Sequence, residues 1–168
     1  MPFNTDQTLG IDFTKTDTAA LTSSFTLGER RLGSDGITYM RVRATEAKSQ
    51  GLVYIVDNTF TVGNGITTSG VSVAPVACVV PQTTSLAPDA GETYAYFWAG
   101  VRGPLSIAGV GSCSANVELF TTSTAGLLNS SISGAKRLEG VKFTSAVTTD
   151  SAVTAAFSVN DIGCSTDA

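Results

Sequence analysis

The sequence predicts an all-β fold: a single compact β-barrel or sandwich domain over residues 25–168, preceded by an extended N-terminal arm over residues 1–24. Three observations predict it. Thr and Ser make up 42 of the 168 residues and Gly another 17, whereas Leu contributes only 11; this mixture favours strands and turns over helices. Apolar segments of strand length recur at intervals of roughly 8–15 residues between Gly-rich turns. No stretch carries the periodicity of a convincing amphipathic helix. The length fits one domain large enough to bury a core of its own.

In residues 1–24 the isolated apolar positions Phe3, Leu9, Ile11, Phe13 and Leu21 are too few for a local core. The segment reads either as an extended arm that packs against something else, with Ile11 and Phe13 as its main anchors, or as a disordered tail. From Phe25 the pattern sharpens. FTLGERR and ITYMRVRA flank LGSDG, whose Asp-Gly pair predicts a tight hairpin turn. In the second strand Met40, Val42 and Ala44 share one face, and Tyr39, Arg41 and Arg43 the other. LVYIVD (52–57) is apolar on both faces. VSVAPVACVV carries Pro75, which points to an edge strand or a bulge. In TYAYFWAGVRGP, Tyr94, Tyr96 and Trp98 fall on one face and Ala95, Phe97 and Ala99 on the other. NVELFTTST, KRLEGVKFTSAV and SAVTAAFSVN complete the strands, the last with some helical character.

Composition excludes several classes of chemistry. The chain has no His, which removes the commonest general base, the usual metal ligand and every Ser-His or Cys-His pair. Its formal charge is −4, so nothing draws it to nucleic acid or an anionic membrane. No apolar run approaches the ~18 residues of a membrane span. The N-terminus lacks a basic region followed by an apolar stretch, so no secretory signal is read there. Cys78, Cys113 and Cys164 are an odd number without paired spacing; they read as reduced thiols of a chain made in the cytoplasm. The G-x-G pair Gly109 and Gly111 leads into another strand and reads as a turn, not a dinucleotide loop. The carboxylates Asp35, Asp57, Glu92, Glu118, Glu139 and Asp150 are scattered, with no motif holding two of them across a bond. The expectation is a chain without catalytic residues, metal or cofactor.

Charge concentrates in one place. Arg30, Arg31, Arg41 and Arg43, four of the six arginines, lie on the first predicted hairpin. They read either as a solvated face or as a contact for a carboxylate-bearing partner, since the guanidinium offers a planar fork.

Three segments in order, LGERRLGSDGITYMRVRATEA (27–47), YFWAGVRGP (96–104) and ELFTTSTAGLL (118–128), resemble a family of small virion proteins of tailed bacteriophages, the capsid decoration or cement proteins. SGAKRLEGVKF and TAAFSV fit the ending of that family. Two positions depart from its pattern, Phe97 in place of a usual Gly and Gly100 where Gln is common. The resemblance implies a structural protein of the capsid exterior, made in the host cytoplasm, that binds the phage major capsid protein and stabilises the shell. It also implies a homotrimer, with a dimer as the alternative, and no nucleic-acid or membrane partner. Under this reading Phe3, Leu9, Ile11, Phe13, Arg30, Arg31, Arg41 and Arg43 are candidate capsid contacts. Tyr94, Tyr96 and Trp98 are candidate contacts between copies, because aromatic side chains with a polar tip favour interfaces. The rival reading is a head-fibre or tail-spike type protein that binds a receptor or carbohydrate.

Overall fold

A computed structural model describes residues 25–69, 76–83, 86–130 and 136–164. Residues 1–24, with the capsid-contact candidates Phe3, Leu9, Ile11 and Phe13, and Pro75 lie outside the described residues. The fold is all-β, and no helix occurs among the described residues. Ten strands follow in order: β1 (Arg30–Leu32), β2 (Thr38–Ala44), β3 (Tyr54–Val56), β4 (Val62–Gly65), β5 (Val76–Val79), β6 (Ala95–Gly109), β7 (Leu119–Thr121), β8 (Leu128–Asn129), β9 (Arg137–Phe143) and β10 (Ala152–Cys164).

Five of them close a barrel in the order β6-β8-β7-β9-β10, with β10 returning to β6. The β6–β10 seam is antiparallel, from Ala152 opposite Gly109 to Ser158 opposite Gly103. The one parallel step joins β6 to β8, with Gly109 opposite Leu128. Closure removes the open edges that a flat sheet of this size would expose. Inside lie Leu105, Ile107, Leu119, Leu128, Leu138, Val141, Phe143, Ala156 and Ile162, all buried.

The other strands build a second core against the first half of β6. β1 and β2 continue the sheet from β6, and β5, β3 and β4 continue it from β10. Isolated bridges from Val80 to Gly100 and from Arg43 to Thr61 bring this second set back to β6 and β2. Met40, Val42, Ala44, Val56, Val62, Val79, Ala95, Phe97, Ala99 and Val101 fill the space between. The alternation read from the sequence therefore holds: Met40, Val42 and Ala44 face the same core as Ala95, Phe97 and Ala99.

One irregularity exchanges the faces that β6 turns to the two cores. Tyr39 is opposite Gly100, but Thr38 is opposite Arg102, so β6 carries an extra residue there. Up to Gly100 the even positions face the first core, as Trp98 does; beyond Gly103 the odd positions Leu105 and Ile107 do so. A single inserted residue has switched the faces. Gly103 has φ +102°, and a Cβ there would stand 3.1 Å from the Ile37 Cα and still closer to the Gly36 carbonyl oxygen. Only glycine lets β6 pass this near the hairpin.

That hairpin turns differently from the two-residue turn the Asp-Gly pair predicts. Gly33 N–H donates to the Ile37 carbonyl at 2.8 Å and Gly36 N–H to the Gly33 carbonyl at 3.1 Å. Gly36 alone takes positive φ, +81°, whereas Asp35 does not. Asp35 instead accepts from the Ile37 N–H at 3.0 Å and from the Tyr39 hydroxyl at 2.7 Å. The result is the longer hairpin loop that ends in a left-handed glycine.

Candidate functional site

Of the residues that sequence reasoning marks, Arg41, Arg43, Tyr94, Tyr96 and Trp98 meet on the β2–β6 ladder, on the face turned away from the second core. Register places Arg41 opposite Trp98 and Arg43 opposite Tyr96. The Arg41 guanidinium lies 5.6 Å from the Trp98 ring centre and 6.0 Å from that of Tyr96. Arg43 reaches diagonally to Tyr94, 4.5 Å from the ring centre. Tyr94 and Tyr96 meet edge to face at 6.2 Å. Each cation covers an electron-rich ring face, an attraction that strengthens as water is excluded.

Burial divides this ladder. At one end Tyr39, Arg41 and Trp98 are 4%, 1% and 2% exposed, and Phe25 packs edge-on against Trp98 at 5.6 Å. At the other end Arg43, Tyr94 and Tyr96 are half-buried and reachable from solvent. Arg43 is held from below, its Nε donating to Thr61 Oγ1 at 2.9 Å. Thr61 in turn belongs to a turn organised by Asp57, whose Oδ1 accepts from the Thr59 and Thr61 N–H groups at 2.8 and 2.9 Å. The Thr61 amide, the Thr59 hydroxyl and the nearby Arg43 charge hold the Asp57 carboxyl below the usual range despite slight desolvation.

The four arginines do not form one face. Arg31 is opposite Tyr39, on the side of Arg41 and Arg43, and pairs with Glu29. Arg30 is opposite Met40, on the other side, and pairs with Asp161 of β10. Arg41 is sealed under the aromatic rings, so Arg43 and Arg31 are the cations this surface offers. Of the three aromatic interface candidates, Tyr94 and Tyr96 are accessible, while Trp98 is a core residue of the ladder.

The carboxylates act as turn caps and pairing groups. Asp35 and Asp57 organise turns, Asp150 accepts from the Gly111 N–H at 2.5 Å, and Glu118 faces Arg137 at 3.6 Å. Among the described residues no three His, Cys, Asp or Glu side chains come together as a metal site. Cys78, Cys113 and Cys164 are all buried thiols. Burial pushes Cys78 and Cys164 upward, away from the thiolate form that nucleophilic or redox chemistry requires. Beside the Asp57 turn lies an open hollow of about 470 Å³, lined by Ile55, Thr61, Asn64, Thr67 and Ala125 among others.

Sequence reasoning missed Lys48. It is 2% exposed, and its Nζ donates to the Gly63 carbonyl at 2.8 Å and to Glu46 at 2.9 Å while lying 5.1 Å from the Tyr54 ring centre. The one local hint was Glu46 two residues earlier; the carbonyl and the ring come from distant strands. No family model, curated protein or solved structure matches the chain.

Proposed function

We propose that this chain is a structural capsid-decoration, or cement, protein. It binds the outer surface of an assembled phage shell through the open end of the arginine–aromatic ladder, together with segment 1–24, and it catalyses no reaction. The observation that carries this reading is the half-exposed cluster of Arg43, Tyr94 and Tyr96. Tyr and Arg are among the residues that dominate the energetics of protein interfaces. Here the side chains already hold one another, Arg43 against Tyr94 and Thr61 and Tyr94 against Tyr96, which limits the side-chain entropy lost on docking. The segments that resemble the decoration family supply this surface: 27–47 forms β1 and β2, and 96–104 the middle of β6. Phe25, the residue that follows segment 1–24 in the chain, packs edge-on against Trp98 of the ladder.

The test is binding of the purified protein to undecorated shells of the phage that encodes it. Saturable binding is expected, weakened by at least about tenfold in a Tyr94→Ala/Tyr96→Ala double variant, a loss of about 1.4 kcal/mol. Deletion of residues 1–24 should weaken it as well. Failure of folded wild-type protein to bind the shells would overturn the reading, as would full occupancy by the double variant. Binding to a host glycan that is lost on substitution of Asn64 or Thr67 would favour the receptor-binding alternative.

A further inference from the structure

The turn beneath the ladder links two opposite charges without letting them touch. Arg43 lies near enough to Asp57 for its charge to act on the carboxylate. A guanidinium so placed would ordinarily pair with the carboxylate directly. Here Arg43 Nε donates instead to Thr61 Oγ1 at 2.9 Å. Thr61 Oγ1 lies 2.9 Å from Thr59 Oγ1, and Thr59 Oγ1 donates to Asp57 Oδ1 at 2.7 Å. Proton counting fixes the direction of each bond. A guanidinium only donates, an ionised carboxylate only accepts, and a hydroxyl has one proton to give. Thr59 gives its proton to Asp57, so Thr61 must be the donor in the bond between the two hydroxyls, and its oxygen then accepts from Arg43. A directed chain of hydrogen bonds therefore runs from cation to anion, each bond polarising the next.

The backbone is strained at the centre of this chain of bonds. Thr59 and Thr61 flank Phe60, which takes the left-handed conformation at φ +58°, a costly one for an aromatic residue. Phe60 is held there from three sides. Its N–H donates to the Asp57 carbonyl at 3.1 Å, its carbonyl accepts from the Arg43 N–H at 3.1 Å, and its ring packs against the second core. The same turn thus grips Arg43 by both its main chain and its Nε. Among the described residues the two terminal nitrogens of Arg43 make no hydrogen bond within the chain, and Tyr94 backs the guanidinium at 4.5 Å. Direct pairing with Asp57 would occupy those nitrogens and neutralise them. We propose that Thr61 is a positioning residue: through the hydroxyl chain to Asp57 it keeps the fork of Arg43 open for a carboxylate of the partner that docks on the ladder. The carboxylate assignment rests on the shell-binding reading; the hydroxyl chain does not.

Thr61→Val keeps the side-chain shape and removes the hydroxyl. One readout needs no shell. By NMR of the full chain, the Arg43 Nε–H should exchange with water at least about tenfold faster in Thr61→Val than in the wild type, and Thr61→Ser should restore slow exchange. The other readout is binding to undecorated shells. Thr61→Val should weaken it about five- to tenfold, and the loss should vanish in an Arg43→Ala background, because Thr61 acts through Arg43. Adding Asp57→Asn to Thr61→Val should recover most of the binding, since the amide oxygen still caps the turn but no longer draws the fork inward. A turn residue with a merely structural role would show no such recovery. Equal Nε–H exchange in wild type and Thr61→Val would overturn the hydroxyl chain. Additive losses for Thr61→Val and Arg43→Ala, or no recovery with Asp57→Asn, would overturn the positioning role. A wild type with a protected Nε–H that binds no shells would overturn the shell-binding reading and the carboxylate assignment with it, while supporting the hydroxyl chain.

Discussion

At the scale of single residues, polar side chains in this protein fix backbone geometry, and their ionisation is tied to folding. Tyr39 shows this best. It is 4% exposed, and its hydroxyl donates to Asp35 at 2.7 Å. Burial pushes its phenol well above the ordinary value, and both the hydrogen bond to Asp35 and the charge of Asp35 push the same way. A group raised in the folded state confers stability that is fully present below its unfolded pKa and is lost as pH climbs toward the folded one. For Tyr39 that loss begins near pH 10, and for Cys78, raised chiefly by burial, somewhat lower, at about 8.5–9. The urea midpoint should therefore fall as pH rises above about 9, and Tyr39→Phe should flatten the upper part of that decline. At neutral pH the same variant should cost about 1 kcal/mol for the lost hydrogen bond. An alkaline limb unchanged in the variant would show that Tyr39 does not set it. Asp57 works in the opposite sense. Its carboxyl is lowered by the turn it caps, so its contribution is present above about pH 4 and fades as pH falls below that.

Elements show how far local pattern reaches. The faces of β2 and of the first half of β6 were legible because alternation is a property of each strand by itself. Which face would be covered was not. The Tyr39–Arg41–Arg43 side reads as a polar outer face, yet Tyr39 and Arg41 are buried and Trp98 lies among core residues, because what lies over a strand is decided elsewhere in the chain. The faces of β6 beyond Gly100 were illegible for a different reason: the inserted residue is defined only by the register with β2. The helical character of SAVTAAFSVN yields to strand β10, which finds ladder partners on both β6 and β9. Gly103 is where this element-scale geometry can be tested. An Ala there combines a strained positive φ with contact against the Gly36–Ile37 backbone, so Gly103→Ala should destabilise by about 2–4 kcal/mol. The effect should exceed that of Gly91→Ala, a site with similar φ (+90°) but nothing within 4 Å of an added Cβ. Equal losses at the two positions, measured by chemical unfolding, would mean that backbone strain alone matters and the close approach to the hairpin does not.

Among the described residues the molecule has two cores whose walls share strands, β2 giving Tyr39 to the first and Met40 to the second, and β5 giving Cys78 and Val79. β6 lines the first with Leu105 and Ile107 and the second with Phe97 and Val101, so neither core can open while the other keeps its wall intact. Phe97→Ala and Phe143→Ala, one in each core, should each cost about 3–5 kcal/mol. Each should move a single thermal transition seen alike by calorimetry and by Trp98 fluorescence. Two separated transitions in either variant would show that the cores melt independently. The position of β10 in the chain has a further consequence, for biosynthesis. This strand joins β6, β9 and β5, and it is the last of the ten to be translated. At about 5–20 residues per second, the preceding strands leave the ribosome seconds before the one that must close the ring. During that interval the nascent chain holds Val- and Phe-rich segments without a lid, kept dispersed by the Thr, Ser and Gly between them. The barrel cannot form progressively behind the ribosome; it closes in one late event, once Ala152–Cys164 has emerged.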